Sequence, residues 1–186
     1  MGLDQYLHAK NYISSYQDND KFNELVAQFN ANELISNTQF TNAQISFGVG
    51  YWRKANAIHG WFVRELAGGV DECQVIRVKR EQLETLLVLC HKALADKPKQ
   101  VPARRPHQVF EGEDVAQALV NITITEQMNA QFNDDNGDPL RPVSGFFFGG
   151  TEKDVGYYDD LRDTINIINR ALSMGKEWYF TYQASW

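Results

Sequence analysis

The sequence predicts an α+β fold: one domain in which a small antiparallel or mixed sheet packs against about three main helices. Segments with apolar residues at helical spacing interleave with segments of period-two alternation. Their order lacks the regular βαβ spacing that a parallel, doubly wound sheet requires. Met1–Leu7, Tyr51–Phe62 and Gly145–Thr164 are expected to meet in space, the first and last contributing strands and the middle a packed helix.

Leu3–Ile13 is rich in Tyr and β-formers, with Leu3, Leu7 and Ile13 at one parity, and reads as a strand. Asp18-Asn19-Asp20 forms a turn and N-cap for a short helix, Lys21–Asn30, in which Phe22, Leu25, Val26 and Phe29 share a face. Ile45–Val49 is a second strand, where Gly48 and Gly50 suggest a bulge or a close backbone approach. Across Tyr51–Leu66 the stripe Ala55, Ile58, Phe62, Leu66 predicts a helix closed by Gly68-Gly69. Gln74–Val78 is a short strand. Lys79–Ala95 is a helix with Leu83, Leu86, Leu87, Cys90 and Leu94 on one face.

Lys97–Pro106 holds three of the five prolines together with Lys99, Arg104 and Arg105, and predicts an exposed basic loop at about 97–106. Val109–Phe132 fits helix in its first half and strand at Ile122–Thr125. Asn133–Pro139 is an acidic turn cluster. Val143–Phe148 reads as a buried strand before Gly149-Gly150. Tyr157–Met174 is a helix, with Leu161, Ile165, Ile168 and Leu172 inward and Gly175 as its C-cap. Trp178, Phe180 and Tyr182 alternate along a last strand.

The 186 residues are 43% hydrophobic and 23% charged, which excludes wholesale disorder. No window approaches the ~20 apolar residues of a membrane span. Met1–His8 has neither a basic nor an apolar leader pattern, so no secretory signal and no membrane partner are expected. Two cysteines are too few for a disulfide scaffold and point to a reducing cytosol. The net charge of -6 argues against general nucleic-acid binding. It is segregated: residues 77–110 carry 8 basic and 3 acidic side chains, residues 111–163 carry 3 and 12. Such segregation suits either two interaction surfaces or two faces that pair or solvate separately.

The chain contains no Walker A, G-x-G-x-x-G, H-E-x-x-H, nucleophile elbow or C-x-x-C. Asn133–Asp138 fails as a calcium loop, because Phe132 and Val143 fall where carboxylates are needed. Cys90 and His91 point about 100° apart on their helix, and Cys90 lies on the leucine face. Cys73 follows Asp71-Glu72, whose charge raises a thiol pKa. Asp159 and Asp163, at i, i+4, could share a metal but also suit a helix N-terminus. Gly149-Gly150-Thr151 could cradle an anion, against repulsion from neighbouring carboxylates. No metal and no cofactor are expected.

The central helix concentrates donors, an imidazole and stacking surfaces. The expected ligand site is therefore Arg53, Asn56, His59 and Trp61, bordered by Tyr157 or Tyr158. The competing expectation makes His59 a satisfied core histidine on an amphipathic helix. Arg53 and Lys54 in a first helical turn would oppose the helix dipole.

Three segments then carry a resemblance. Met1-Gly2-Leu3-Asp4-x-Tyr6-Leu7 opens the chain. Tyr51-Trp52-Arg53-Lys54-Ala55-Asn56-x-Ile58-His59-x-Trp61-Phe62 lies in the middle. Gly145-Phe146-Phe147-Phe148-Gly149-x-Thr151-x-x-Asp154-x-x-Tyr157-Tyr158-x-Asp160-Leu161-x-x-Thr164 lies toward the end. Together they resemble a family of small proteins of tailed bacteriophages and prophages. The resemblance implies provenance, a gene product made in the cytoplasm of a bacterial host, and assigns no catalytic residue. The function expected is non-enzymatic binding of a host factor or small signalling ligand. The alternatives are a small enzyme on a nucleotide-like or other anionic substrate, with His59 as acid–base and Arg53 as clamp, and a virion component.

Overall fold

The computed structural model describes residues 2–28, 41–103, 132, 137–145 and 148–186. In chain order the elements are β1 (Asp4–Ser14), α1 (Asn19–Gln28), β2 (Asn42–Arg53), α2 (Asn56–Leu66), β3 (Ile76–Val78), α3 (Arg80–Ala95), α4 (Val155–Leu172) and β4 (Tyr179–Ser185). The strands form one antiparallel sheet in the order β2-β1-β4-β3. The α+β class follows, with the first and last strands side by side.

Alternation in β1 sets the two faces. Leu7, Ala9 and Ile13 are buried with Gln5 and Asn11, whereas Tyr6 and Tyr12 between them are exposed. Phe180, Tyr182 and Ala184 of β4 and Ile76 and Val78 of β3 continue the buried face. Helices cover it: α3 packs on α4, α4 on β2, and α2 on α4 and β3. The core they close includes Leu83, Leu86 and Cys90 from α3 and Leu161, Ile168 and Ala171 from α4. Asp18 Oδ1 accepts from Lys21 N at 3.0 Å and so caps α1. Asp154 Oδ1 accepts from Tyr157 N at 3.0 Å and caps α4. At the other end of α4, the Arg80 guanidinium donates to the carbonyls of Leu172, Met174 and Gly175, taking up acceptors that the helix end leaves open.

β2 carries a bulge. Leu7 pairs with Gly50 and His8 with Gly48, leaving Val49 as an extra residue opposite β1. Gly50 faces the helices, where a Cβ would collide with Ile167, and Gly48 faces open space. One glycine answers a close approach and the other does not.

Several boundaries differ from those the sequence predicts. The expected helix from Tyr51 begins only at Asn56, because Tyr51 and Arg53 pair with Tyr6 and Asp4 at the end of β2. Lys54, at φ 63°, turns the chain, and its N–H donates to Leu3 O at 2.8 Å. Arg53 therefore stands in a strand and Lys54 before the helix, so neither opposes the dipole from within it. No strand forms at Val143–Gly145 or Phe148, where Phe148 N donates to Gly145 O in a turn. α4 spans Val155–Leu172 and is capped by Ser173, not Gly175. Residues 97–103 carry neither helix nor strand. The rest of the basic loop, Val109–Phe132 apart from the buried Phe132, and most of the acidic turn lie outside the described residues. Among the described residues, no helix is long and apolar enough to cross a membrane.

Candidate functional site

The residues expected to form a ligand site separate. Arg53 is exposed at the end of β2, on the sheet face turned away from the helices. The other five are buried. Asn56 Nδ2 donates to Gly150 O at 2.8 Å and Phe148 O at 3.2 Å, tying the start of α2 to the segment before α4. Trp61 packs edge-on to Phe62. The Tyr157 hydroxyl donates to Leu140 O at 3.1 Å, and Tyr158 meets the Tyr157 ring edge-on. A cavity of about 40 Å³ brings Asn56 and Tyr157 together with Lys54, Gly150, Glu152 and Asp154. It leaves out Arg53, His59, Trp61 and Tyr158. That volume suits a few waters and falls far below the ~300 Å³ at which small-molecule sites begin.

His59 is fully buried, 0% exposed, and both ring nitrogens are engaged. Nε2 lies 2.8 Å from Asp71 Oδ2, which also accepts from Trp186 Nε1 at 2.9 Å. Nδ1 lies 2.8 Å from the Tyr182 hydroxyl, which donates to Gln5 Oε1 at 3.0 Å. Phe132 and Phe148 meet the imidazole edge-on. Gln5, Tyr182, His59, Asp71 and Trp186 thus form one chain through the core. Burial, with Asp71 nearby, holds the Tyr182 phenol well above its ordinary pKa and keeps it protonated. Both ring nitrogens are turned to buried partners, and neither faces solvent. This is the satisfied core histidine of the competing expectation.

Both thiols are held toward the protonated form. Burial pushes Cys90 up to about 12. Cys73 is raised first by burial and then by Asp71, against a backbone hydrogen bond from Trp186 that lowers it. Asp159 pairs with Arg162. Among the described residues no group of three or more His, Cys, Asp or Glu is placed to hold a metal.

The sheet face opposite the helices has a different character. Its outward positions run Asp4, Tyr6, His8, Lys10, Tyr12 on β1 and Gln44, Ser46, Gly48, Tyr51, Arg53 on β2. Tyr179, Thr181 and Gln183 on β4 and Arg77 on β3 complete it. Tyr6, Tyr12 and Tyr51 are 39%, 50% and 51% exposed. Tyr51 stands opposite Tyr6, with ring centroids 5.4 Å apart, and Tyr6 continues onto His8 at 6.3 Å. The Tyr51 hydroxyl donates to Asp4 Oδ1, an acceptor that raises the phenol pKa. Tyr179 donates to Gln44 Oε1 at 2.9 Å, and the Arg77 guanidinium lies 5.1 Å from the Tyr179 ring centroid. Lys10, Arg53 and Arg77 stand against one carboxylate, Asp4, so the face is locally basic on a chain of net charge -6. Sequence reasoning missed this surface. The Tyr6, His8, Lys10, Tyr12 alternation was its signal, and the partners on β2 and β4 come from distant parts of the chain.

No family model, no curated protein and no solved structure matches this chain.

Proposed function

We propose that the chain is a phage-encoded accessory protein that acts by binding, not by catalysis, and that it binds a macromolecule of the host cell through the open face of the sheet. The phage origin is drawn from the three sequence motifs. What supports the binding surface is the exposed tyrosines on one face, Tyr51 in ring contact with Tyr6 and Tyr12 farther along β1, interspersed with Lys10, Arg53 and Arg77. Rigid aromatic rings beside cations are the composition of interface hot spots. A sheet face of this kind suits a macromolecule. The 40 Å³ cavity suits neither a nucleotide nor a comparable signalling ligand.

The enzymatic alternative needs His59 and Arg53 in one site. His59 lies on the helical side of the sheet and Arg53 on the open side, so that reading loses its two chemical groups.

Hydroxyl-radical footprinting in extracts of infected bacteria, compared with buffer, tests the proposal. Protection of Tyr6, Tyr12 and Tyr51 is the expected result. Unchanged reactivity there, with protection elsewhere, rejects the surface.

A further inference from the structure

The open face also carries a preference among macromolecules. Resting on the binding reading above, we infer that its partner is single-stranded RNA, with unpaired bases stacked on Tyr6 and Tyr51 and the phosphates met by Lys10, Arg53 and Arg77.

Three observations lead there. First, Tyr51, Tyr6 and His8 form a contiguous row of rings across two strands, with centroids 5.4 and 6.3 Å apart, and both tyrosines are substantially exposed. Splayed bases stack on such a platform, whereas a paired duplex offers no free base faces to it. Second, the cations ring the aromatic row: Arg53 at one end of β2, Lys10 beyond His8 on β1, Arg77 across β4. The net charge of -6 opposes a coat of duplex, and the three cations on this face answer it locally. The acidic remainder limits contact to a short strand. Third, exposed Gln44, Ser46 and Gln183 stand opposite Tyr12, Lys10 and Tyr6, with Gln44 Oε1 accepting from Tyr179 and Gln183 Nε2 donating to Cys73 O. Amide and hydroxyl groups there can exchange hydrogen bonds with a 2′-hydroxyl, which is both donor and acceptor and is absent from DNA.

Fluorescence anisotropy of the full chain with labelled single-stranded (rU)12, (dT)12 and a 12-base-pair RNA duplex tests the assignment. The expected result is binding of (rU)12, with a dissociation constant on the order of 10 µM at 50 mM salt. The duplex and (dT)12 bind more weakly. Three phosphate contacts give a slope of about -2 in log K against log salt, hence roughly 20-fold weaker binding at 200 mM. Tyr6→Ala and Tyr51→Ala each weaken binding about tenfold with the slope unchanged, because stacking carries no counterion. Tyr51→Phe, which keeps the ring, keeps the affinity and shows that the position tolerates change without loss of fold. Arg77→Gln lowers the slope by about 0.7.

Equal binding of (dT)12, equal binding of the duplex, or wild-type affinity in both tyrosine-to-alanine variants overturns the assignment. So does the absence of binding at ~1 mM protein. In that last case, footprinting in nuclease-treated extract separates the two levels. Persistent protection of Tyr6 and Tyr51 keeps the binding surface and makes its partner a protein; no protection in treated or untreated extract removes both.

Discussion

On β1, Gln5, Leu7, Ala9, Asn11 and Ile13 face the helices, while Tyr6, His8, Lys10 and Tyr12 face the other way one residue along. Each face carries a histidine, tyrosines and a carboxylate. Behind the sheet, His59, Tyr182 and Asp71 are locked to one another by hydrogen bonds of 2.8 Å, because a buried polar group without a partner is costly. In front of it, Tyr6, His8 and Tyr51 are held mainly by ring contacts and remain open to solvent. Residue type therefore says little about role here. The same chemistry specifies one core arrangement on one face and leaves contact surface available on the other.

The largest test of this contrast is His59→Leu. It removes the imidazole donor beside Asp71 and leaves a buried carboxylate without it, so stability should fall by about 3–5 kcal/mol in denaturant unfolding. A loss below ~1 kcal/mol would show that the network is not what fixes the core. Next comes Gly50→Ala, which drives a Cβ into Ile167 and should cost about 1–3 kcal/mol.

A pH titration of stability follows. Cys90 is raised to about 12 from an ordinary value of 9.0, and Tyr157 and Tyr182 are raised from 10.0. The unfolded chain then releases protons that the folded chain keeps. Stability contributed by these groups is complete below pH 9 and declines as pH climbs toward 12, by up to ~1.4 kcal/mol per pH unit for each group. Urea midpoints at pH 8 and pH 10.5 measure it, and equal midpoints would contradict the burial of these groups. The smallest effect belongs to Gly48→Ala, two residues from Gly50 and on the open face. It should change stability by no more than ~0.5 kcal/mol, since nothing lies within 4 Å of its Cβ.

The sequence made some of this legible. The leucine face of α3, the Asp18 cap and the parity of β1 depend on neighbours a few residues apart, and each is present in the structure. The start of α2 was misread because the Ala55–Leu66 stripe continues smoothly backward into Tyr51-Trp52, and only the left-handed turn at Lys54 ends the strand. His59 looked like a ligand group because its partners, Asp71 and Tyr182, lie 12 and 123 residues away. The open face was hidden for the same reason. Tyr6 meets Tyr51 and Gln183 only after strands from the beginning, middle and end of the chain have paired.

Val49, the extra residue in β2, acts as a phase setter. Upstream of it Ala43, Ile45 and Phe47 point to the helical side, and downstream Tyr51 points outward, because one unpaired residue shifts the alternation by half a period. Were Val49 instead drawn into the ladder opposite His8, every residue upstream would move on by one pairing: Phe47 and Ile45 would stand opposite Lys10 and Tyr12, and Ser46 and Gln44 would turn toward the helices. Deleting Val49 removes only the surplus residue and leaves the pairs Leu7–Gly50 and His8–Gly48, and with them both faces. The polar, aromatic face thus depends on one residue being kept out of the count.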